Sequence, residues 1–258
     1  FADDGTRAVV LSQNSVAVID LTESTPTKAV TFPLTLDADQ TVDPVGVALT
    51  PDGRYALISV RGAGDLYVLD LDLRSVNMVS LSSNPSAMAV IDDADPFDDI
   101  FNDRTVIVYE NGKMVDILEH QYFDVESYTL DEPMSGVLAG NQMAVLYTDQ
   151  GGHDAYLLDL ETQDLLEYRL ENPTVSMHLA PTEEFAIALT RAESGVNSGV
   201  DGLYDRNPGM EILDLTGDKA KSRAYLLEGQ GVGLAFSATE TALHALVLQQ
   251  GIRYLYKL

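Results

Sequence analysis

The tetrapeptide VIDL at Val18–Leu21 is the stretch that decides the fold, because close copies of it return along the whole chain. The copies read VLDL at Val68–Leu71, LLDL at Leu157–Leu160 and ILDL at Ile212–Leu215, with weaker versions at Val115–Leu118 and Tyr254–Lys257. Their average spacing is about 47 residues, which is typical of one β-propeller blade. The repeat therefore predicts an all-β chain in which each period forms one four-stranded blade.

Each period has the same internal order of strands. The clearest opening pair is Val45–Val60, where Pro51 presets φ in a turn and Gly53 accepts a positive φ. The VIDL phrase belongs to the third strand, and a more polar fourth strand follows it. The chain begins before a second strand and ends in a third, so we expect about six blades in a single domain over residues 1–258, four complete and two partial. The alternatives are a six-bladed array with incomplete ends and a fragment of a longer, for example seven-bladed, propeller.

The unit Pro44–Ser75 resembles the YVTN-type repeat of bacterial and archaeal surface proteins, a family of lactonase-like and surface-layer-like propellers. It shares with that repeat a strand that begins at proline, the turn Thr50–Gly53 and the phrase Val68–Asp70. Other copies of the turn are degraded, as at Ala180–Glu183, which reads APTE. The resemblance implies a propeller, often secreted, and we expect an extracytoplasmic location, that is, periplasmic, secreted or at the cell surface. It implies little about activity, because propellers host many unrelated functions.

The chain is strongly acidic, with 41 acidic and 15 basic residues and a net charge of −26. Such a field repels nucleic acids and anionic membrane surfaces, whereas cations and basic protein surfaces remain candidate partners. The chain has no cysteine, which excludes disulfides and thiolate sites, and no apolar run long enough to span a membrane. Because the sequence starts at Phe1 without a signal peptide, we expect a processed or trimmed product.

Two long connections are predicted to share one face of the propeller, and that face is the expected binding site. They are Glu193–Gly209 and Leu36–Pro44, and the turn Asp149–Asp154 lies on the same face. Neutral growth of surface loops is the alternative interpretation. The candidate binding residues are Tyr204, Asp205, Arg206, Asn207, Asp201, Asp39, Asp43 and His153.

Two sets of aspartates could in principle supply metal ligands. The run Asp92–Asp103 offers Asp93, Asp95, Asp98 and Asp99 as weak candidates for Ca²⁺, which prefers six to eight oxygen ligands. Its spacing does not match an EF-hand, so a surface insertion is the favoured interpretation and no cofactor is predicted. The repeated aspartates at the ends of the third strands, Asp20, Asp70, Asp159 and Asp214, are interpreted as caps of the following turns.

These features support three hypotheses. The first is a non-enzymatic, extracytoplasmic propeller that binds a protein or another ligand through its loop face. The second is a metal-assisted hydrolase or lactonase-like enzyme that would use His153 with Asp149 and Asp201. The third is a structural segment of a larger surface protein. The absence of tryptophan argues against quinoprotein dehydrogenases and sialidases, and no nucleophile motif such as GxSxG occurs, so the prediction leans away from an enzyme.

Overall fold

The computed structural model describes residues 7–22, 29–35, 39, 41–51, 53–91, 103–109, 112–149, 151–192, 207–239, 242–250 and 252–257. These residues form β-strands, turns and irregular connections, and they include no helix that could cross a membrane. The strands group into six antiparallel sheets, of which four have four strands and the first and last have three. The predicted all-β class and the predicted pattern of four complete and two partial blades are confirmed.

The chain divides into two compact units, and the first is Phe1–Pro133 with three sheets. The first sheet contains β1 (Arg7–Ser12), β2 (Ser15–Asp20) and β3 (Ala29–Pro33). The second contains β4 (Pro44–Leu49), β5 (Tyr55–Val60), β6 (Asp65–Asp70) and β7 (Ser75–Ser80). The third contains β8 (Pro85–Ile91), β9 (Arg104–Tyr109), β10 (Met114–Glu119) and β11 (Val125–Thr129).

The second unit is Met134–Leu258 and also has three sheets. The fourth sheet contains β12 (Gly136–Ala139), β13 (Met143–Tyr147), β14 (Asp154–Asp159) and β15 (Leu165–Arg169). The fifth contains β16 (Thr174–Leu179), β17 (Phe185–Thr190), β18 (Gly209–Asp214) and β19 (Lys221–Leu226). The sixth contains β20 (Gly231–Thr239), β21 (Ala242–Gln249) and β22 (Ile252–Lys257). The expectation of a single domain over residues 1–258 stays a prediction.

The second strands of the second and fifth sheets, β5 and β17, are buried on both faces, because each of these sheets packs against two others within its unit. In β5, Ala56 and Ile58 pack with residues of the first sheet, while Leu57 packs with residues of the third. In β17, Ala188 packs with the fourth sheet and Ile187 with the sixth. Successive side chains of a strand point to opposite faces, so a strand covered on both faces must be apolar at every position.

The first strand of four sheets carries a β-bulge near its start, which the sequence did not indicate. One residue is left out of the pairing register in β4, β8, β16 and β20, and these residues are Val45, Ser86, Val175 and Val232. The three valines are exposed. A bulge of this kind sharpens the local twist of the strand and re-aims the side chain that it skips.

The repeated aspartates cap the turns that leave the third strands, which confirms the sequence interpretation. Asp70 Oδ1 accepts backbone N–H bonds from Asp72 at 3.0 Å and Leu73 at 2.8 Å, and Asp159 Oδ1 accepts equivalent bonds from Glu161 and Thr162. Burial acts to raise the pKa of Asp70, but these N–H bonds and the Arg54 guanidinium outweigh burial and hold that pKa below its usual value.

The turn between β5 and β6 offers a matched pair of glycines for a stability test. An added Cβ would meet nothing within 4 Å at either Gly62 or Gly64, but only Gly62 has a positive φ, 73°. We expect Gly62→Ala to destabilise the protein by about 1–2 kcal/mol, the cost of a left-handed alanine. Gly64→Ala should be neutral or stabilising by up to about 1 kcal/mol. Urea denaturation midpoints measure both variants, and equal losses from the two would contradict the conformational explanation.

Candidate functional site

Half of the predicted binding residues can be placed. Tyr204, Asp205, Arg206 and Asp201 lie outside the described residues, as do the Ca²⁺ candidates Asp93, Asp95, Asp98 and Asp99. Asp39 and Asp43 belong to the first unit, whereas His153 and Asn207 belong to the second. Among the residues that can be placed, no cluster of three or more His, Asp or Glu side chains is arranged to hold a metal ion.

In the first unit, Asp43 anchors the start of the second sheet. Its Oδ2 accepts a hydrogen bond from Arg61 Nε at 2.8 Å, and its carbonyl accepts the Arg61 amide at 2.9 Å. Both side chains are exposed, 59% for Asp43 and 73% for Arg61, so solvent screens the pair and its contribution is small. Asp39 is exposed as well. The geometry therefore assigns Asp43 to the connection between the first and second sheets.

In the second unit, His153 and Asn207 each form a hydrogen bond with the segment that connects the fourth and fifth sheets. His153 Nδ1 donates to the Leu170 carbonyl at 3.1 Å, and the Leu170 amide donates back to the His153 carbonyl at 2.7 Å. Asn172 Nδ2 donates to the Asn207 carbonyl at 3.5 Å. The structure thus brings two of the predicted residues to one segment, Leu170–Asn172, where both act in positioning the backbone.

The same segment binds a buried carboxylate that sequence reasoning missed. Glu211 in β18 is 2% exposed, and its Oε2 accepts the Glu171 amide at 3.0 Å while its Oε1 accepts the Ser222 hydroxyl at 2.5 Å. We call Glu211, His153, Asn207 and Leu170–Asn172 the connection cluster. The sequence did contain a sign of this site, because Glu211 is an acidic residue in the interior of an apolar strand. An acidic side chain is rarely buried without a partner.

The first unit contains an equivalent carboxylate. Asp116 occupies the third position of β10, as Glu211 does in β18, and it is fully buried. Its two oxygens accept the amide and hydroxyl of Ser82 at 3.1 and 3.0 Å, and Tyr109 also donates to it. Ser82 follows the leucine that comes after the last strand of the second sheet, and Glu171 follows the corresponding leucine after the fourth sheet. In both units a buried carboxylate therefore holds the end of the preceding sheet.

The environment of Glu211 shifts its ionisation. Burial is the largest influence and raises the pKa of this carboxyl, and the nearby Glu171 charge acts in the same direction. The bonds from Ser222 and Glu171 and the proximity of His153 act to lower it without cancelling the effect of burial. Hence the folded state holds a proton on Glu211 more tightly than the unfolded chain does.

The fifth sheet carries a groove over its outer strands, which we call the outer groove. It encloses about 790 Å³ and is lined by residues of β17, β18, β19 and the adjoining turns: Glu184, Phe185, Met210, Ile212, Asp214, Thr216, Lys221, Ser222, Arg223 and Tyr225. This volume lies within the ~300–1,000 Å³ range of ligand sites. None of the predicted binding residues lines the outer groove.

Strand register explains the layout of the outer groove. Met210 lies opposite Tyr225, Ile212 opposite Arg223 and Asp214 opposite Lys221, so each pair shares the same face of the sheet. The inner part of this face is covered by the sixth sheet, where Phe236 contacts Phe185 with ring centroids 6.4 Å apart. Tyr225 remains 37% exposed and Met210 is buried beneath it. The result is an apolar floor bordered by charged side chains.

The charged side chains that border the outer groove differ in whether they have a partner of opposite charge or a hydrogen bond. Asp214 Oδ1 accepts bonds from the Thr216 hydroxyl at 2.7 Å and the Thr216 amide at 3.0 Å, and the hydroxyl bond is the main reason that the pKa of Asp214 is lowered. Lys221 adds to this lowering by its charge. Arg223 instead faces Ile212, and the ion pairs found among the described residues do not involve it.

A pair of substitutions tests the role of Glu211. We expect Glu211→Gln to be at least as stable as the parent at pH 7, because the amide can accept from Glu171 and donate to Ser222 without a buried charge. Glu211→Ala should lose about 1–3 kcal/mol, because the Glu171 amide loses its partner. A raised folded pKa means that the folded state binds more protons, so the parent should gain stability relative to Glu211→Gln as the pH falls from 7 towards the unfolded pKa. Urea titrations at pH 7 and 5 measure this difference, and a constant difference would contradict it.

Comparison with solved structures identifies the fold. The chain matches hydrazine synthase of Kuenenia stuttgartiensis with a TM-score of 0.63 and 14% identity over 96% of this chain and 75% of that one. It matches the dihydro-heme d1 dehydrogenase NirN with a TM-score of 0.67 and 15% identity over 100% of this chain, and it spans about half of NirN, 53%. It also matches the β-propeller domain of Myceliophteria thermophila Cps50 (Swd1) with a TM-score of 0.58 and 10% identity over 100% of this chain and 81% of that one.

No protein-family model matches the chain, and no curated protein matches its sequence. Identities of this size carry information about the fold alone. The six meandering sheets and the similar structures together show that the chain has a β-propeller fold. The narrower resemblance to the YVTN-type repeat stays a prediction.

Proposed function

We propose that this β-propeller is a non-enzymatic module that binds a protein segment or another ligand in the outer groove of its fifth sheet. The observation that supports the proposal is a groove of about 790 Å³ in which an apolar floor meets exposed tyrosine and arginine side chains. Tyrosine, arginine and methionine are the residue types that binding interfaces favour. In this proposal the connection cluster has a structural role, because it positions the backbone between two sheets. The ligand is bound by side chains of the outer strands β18 and β19.

The propellers that resemble this chain range from hydrazine synthase to Cps50 (Swd1), so the fold does not select a function. The proposed location is outside the cytoplasm, and its support is the net charge of −26 together with the resemblance of Pro44–Ser75 to a repeat of surface proteins. The role of a structural segment within a larger surface protein is compatible with the same binding surface.

The hydrolase alternative has less support. Asp201 lies outside the described residues, Asp149 accepts the Ser135 hydroxyl at 2.6 Å, and His153 donates to the Leu170 carbonyl. These contacts serve turns and connections. The metal-assisted hydrolase therefore stays a prediction that no contact among the described residues favours.

The absence of cysteine makes a direct test of the proposal practical, because a single introduced thiol can be labelled selectively. A random peptide library would be selected on the unmodified protein. The selected peptides would then be titrated against Tyr225→Cys and Lys219→Cys, each carrying a bulky maleimide. Tyr225 lines the outer groove, whereas Lys219 lies in the preceding turn and does not line it.

We expect the label at position 225 to weaken binding at least about tenfold, because it fills the groove, and the label at position 219 to leave it unchanged. Circular dichroism would verify that both labelled proteins are folded. Failure to select any peptide, or equal binding to the two labelled proteins, would overturn the proposal that the groove is the binding site.

A further inference from the structure

We propose that the outer groove recognises an extended peptide segment that places an acidic side chain against Arg223 and, two residues along, an aromatic or aliphatic side chain against Tyr225 and Met210. This inference rests on the proposed binding function and names the chemistry of its partner. The inference rests on two side chains that lie two positions apart on one face of β19. Arg223 lies opposite the apolar Ile212, and the aromatic Tyr225 follows it.

The spacing of that row matches an extended chain. Lys221, Arg223 and Tyr225 lie at alternate positions of β19, and their partners across the sheet show that they share one face. Alternate residues of a strand are about 7 Å apart, and this holds for any peptide in extended conformation. Two side chains of such a peptide can therefore meet Arg223 and Tyr225 together, whether its direction is parallel or antiparallel to β19.

The local charge at Arg223 favours an acidic side chain at that point of the groove. Among the outermost strands of the six sheets, only β19 and β22 have a net positive charge, and in β19 it comes from Lys221 and Arg223. The whole chain has a net charge of −26. Glu184 and Asp214 also line the groove and oppose an acidic ligand at its other end. Asp214 lies opposite Lys221 in the register, so these two charges offset each other locally.

Arg223 is the cation left for a ligand. It is exposed, its cross-strand neighbour is Ile212, and no ion pair in the described part of the chain includes it. A guanidinium bordered by an apolar floor binds a carboxylate through a forked pair of hydrogen bonds. A second copy of this chain would bring its own surplus of negative charge, which opposes self-association as the use of this surface.

The second side chain of the peptide must be apolar, because the part of the groove beside Arg223 is formed by Met210 and Tyr225. Met210 is 2% exposed and forms the floor beneath Tyr225, which is 37% exposed. An aromatic or aliphatic side chain placed there stacks against the tyrosine ring and removes the exposed part of that ring from water. A small free anion would satisfy Arg223 but would leave this surface uncovered, which is why the geometry favours a peptide.

The test uses the whole chain and three labelled pentapeptides with blocked ends, Ser-Glu-Ser-Phe-Ser, Ser-Lys-Ser-Phe-Ser and Ser-Glu-Ser-Ser-Ser, in fluorescence anisotropy titrations. The protein variants are Arg223→Glu and, as the matched control, Lys219→Glu, which makes the same change of charge outside the groove. We expect saturable binding of the Glu-Phe peptide that weakens at least about tenfold in Arg223→Glu and little in Lys219→Glu. The Lys-Phe peptide should bind Arg223→Glu more tightly than it binds the parent, and the peptide without phenylalanine should bind the parent more weakly.

Three results would overturn the inference: no saturable binding of the Glu-Phe peptide up to about 1 mM, equal effects of the two charge reversals, or failure of the Lys-Phe peptide to prefer Arg223→Glu. The labelled-cysteine experiment separates this outcome from failure of the proposed function. If library peptides occupy the groove but lack an acidic residue two positions from an apolar one, the binding function stands and the acidic partner is wrong. The preference of the Lys-Phe peptide for the variant requires a folded groove, so it also rules out misfolding as the cause of lost binding.

Discussion

Burial of the middle sheet of each unit by a neighbouring sheet on both faces is the constraint on which the rest of this structure depends. Ala56, Leu57 and Ile58 are all fully buried although successive side chains point to opposite faces of β5. The same holds for Ala186, Ile187 and Ala188 in β17. A sheet of this kind has no stable existence alone, because removing a neighbour would expose one complete apolar face. Stability within each unit is therefore a property of the stack of sheets.

This packing leaves few places for polar groups within the sheets. Buried carboxylates bind their partners where strands enter turns and where one sheet connects to the next. Aspartates at the ends of the third strands bind the turn amides, as Asp70 does for Asp72 and Leu73. Asp116 and Glu211 are buried in strand interiors, where each accepts the amide of the second residue beyond the last strand of the preceding sheet. Isolated charges at such depth would be costly, but each carboxylate has at least two donors. In both units the same strand position thus links neighbouring sheets.

The features that the sequence predicts well are those that local pattern determines. Strand order, the two partial sheets and the capping role of Asp70 follow from a repeated phrase and from turn chemistry, which act over a few residues. Glu211 and the bulges at Val45 and Val232 were missed, because their meaning depends on which strand lies opposite. The outer groove was missed for the same reason. The position of Arg223 gains meaning only when the strand register places it opposite Ile212. It also depends on the sixth sheet, which covers only the inner part of that face of the fifth sheet.

The division of labour between inner and outer strands explains why binding chemistry is best sought on β19. The second strand β17 is buried at five of its six positions, so its residues are constrained by two neighbouring sheets. In β19, five of six residues are exposed, and the strand contributes little to the core. Charged and aromatic side chains can therefore accumulate there at small cost to stability. Lys221, Arg223 and Tyr225 share one face of that strand because side chains alternate, and the fold itself supplies the spacing at which an extended partner can meet them.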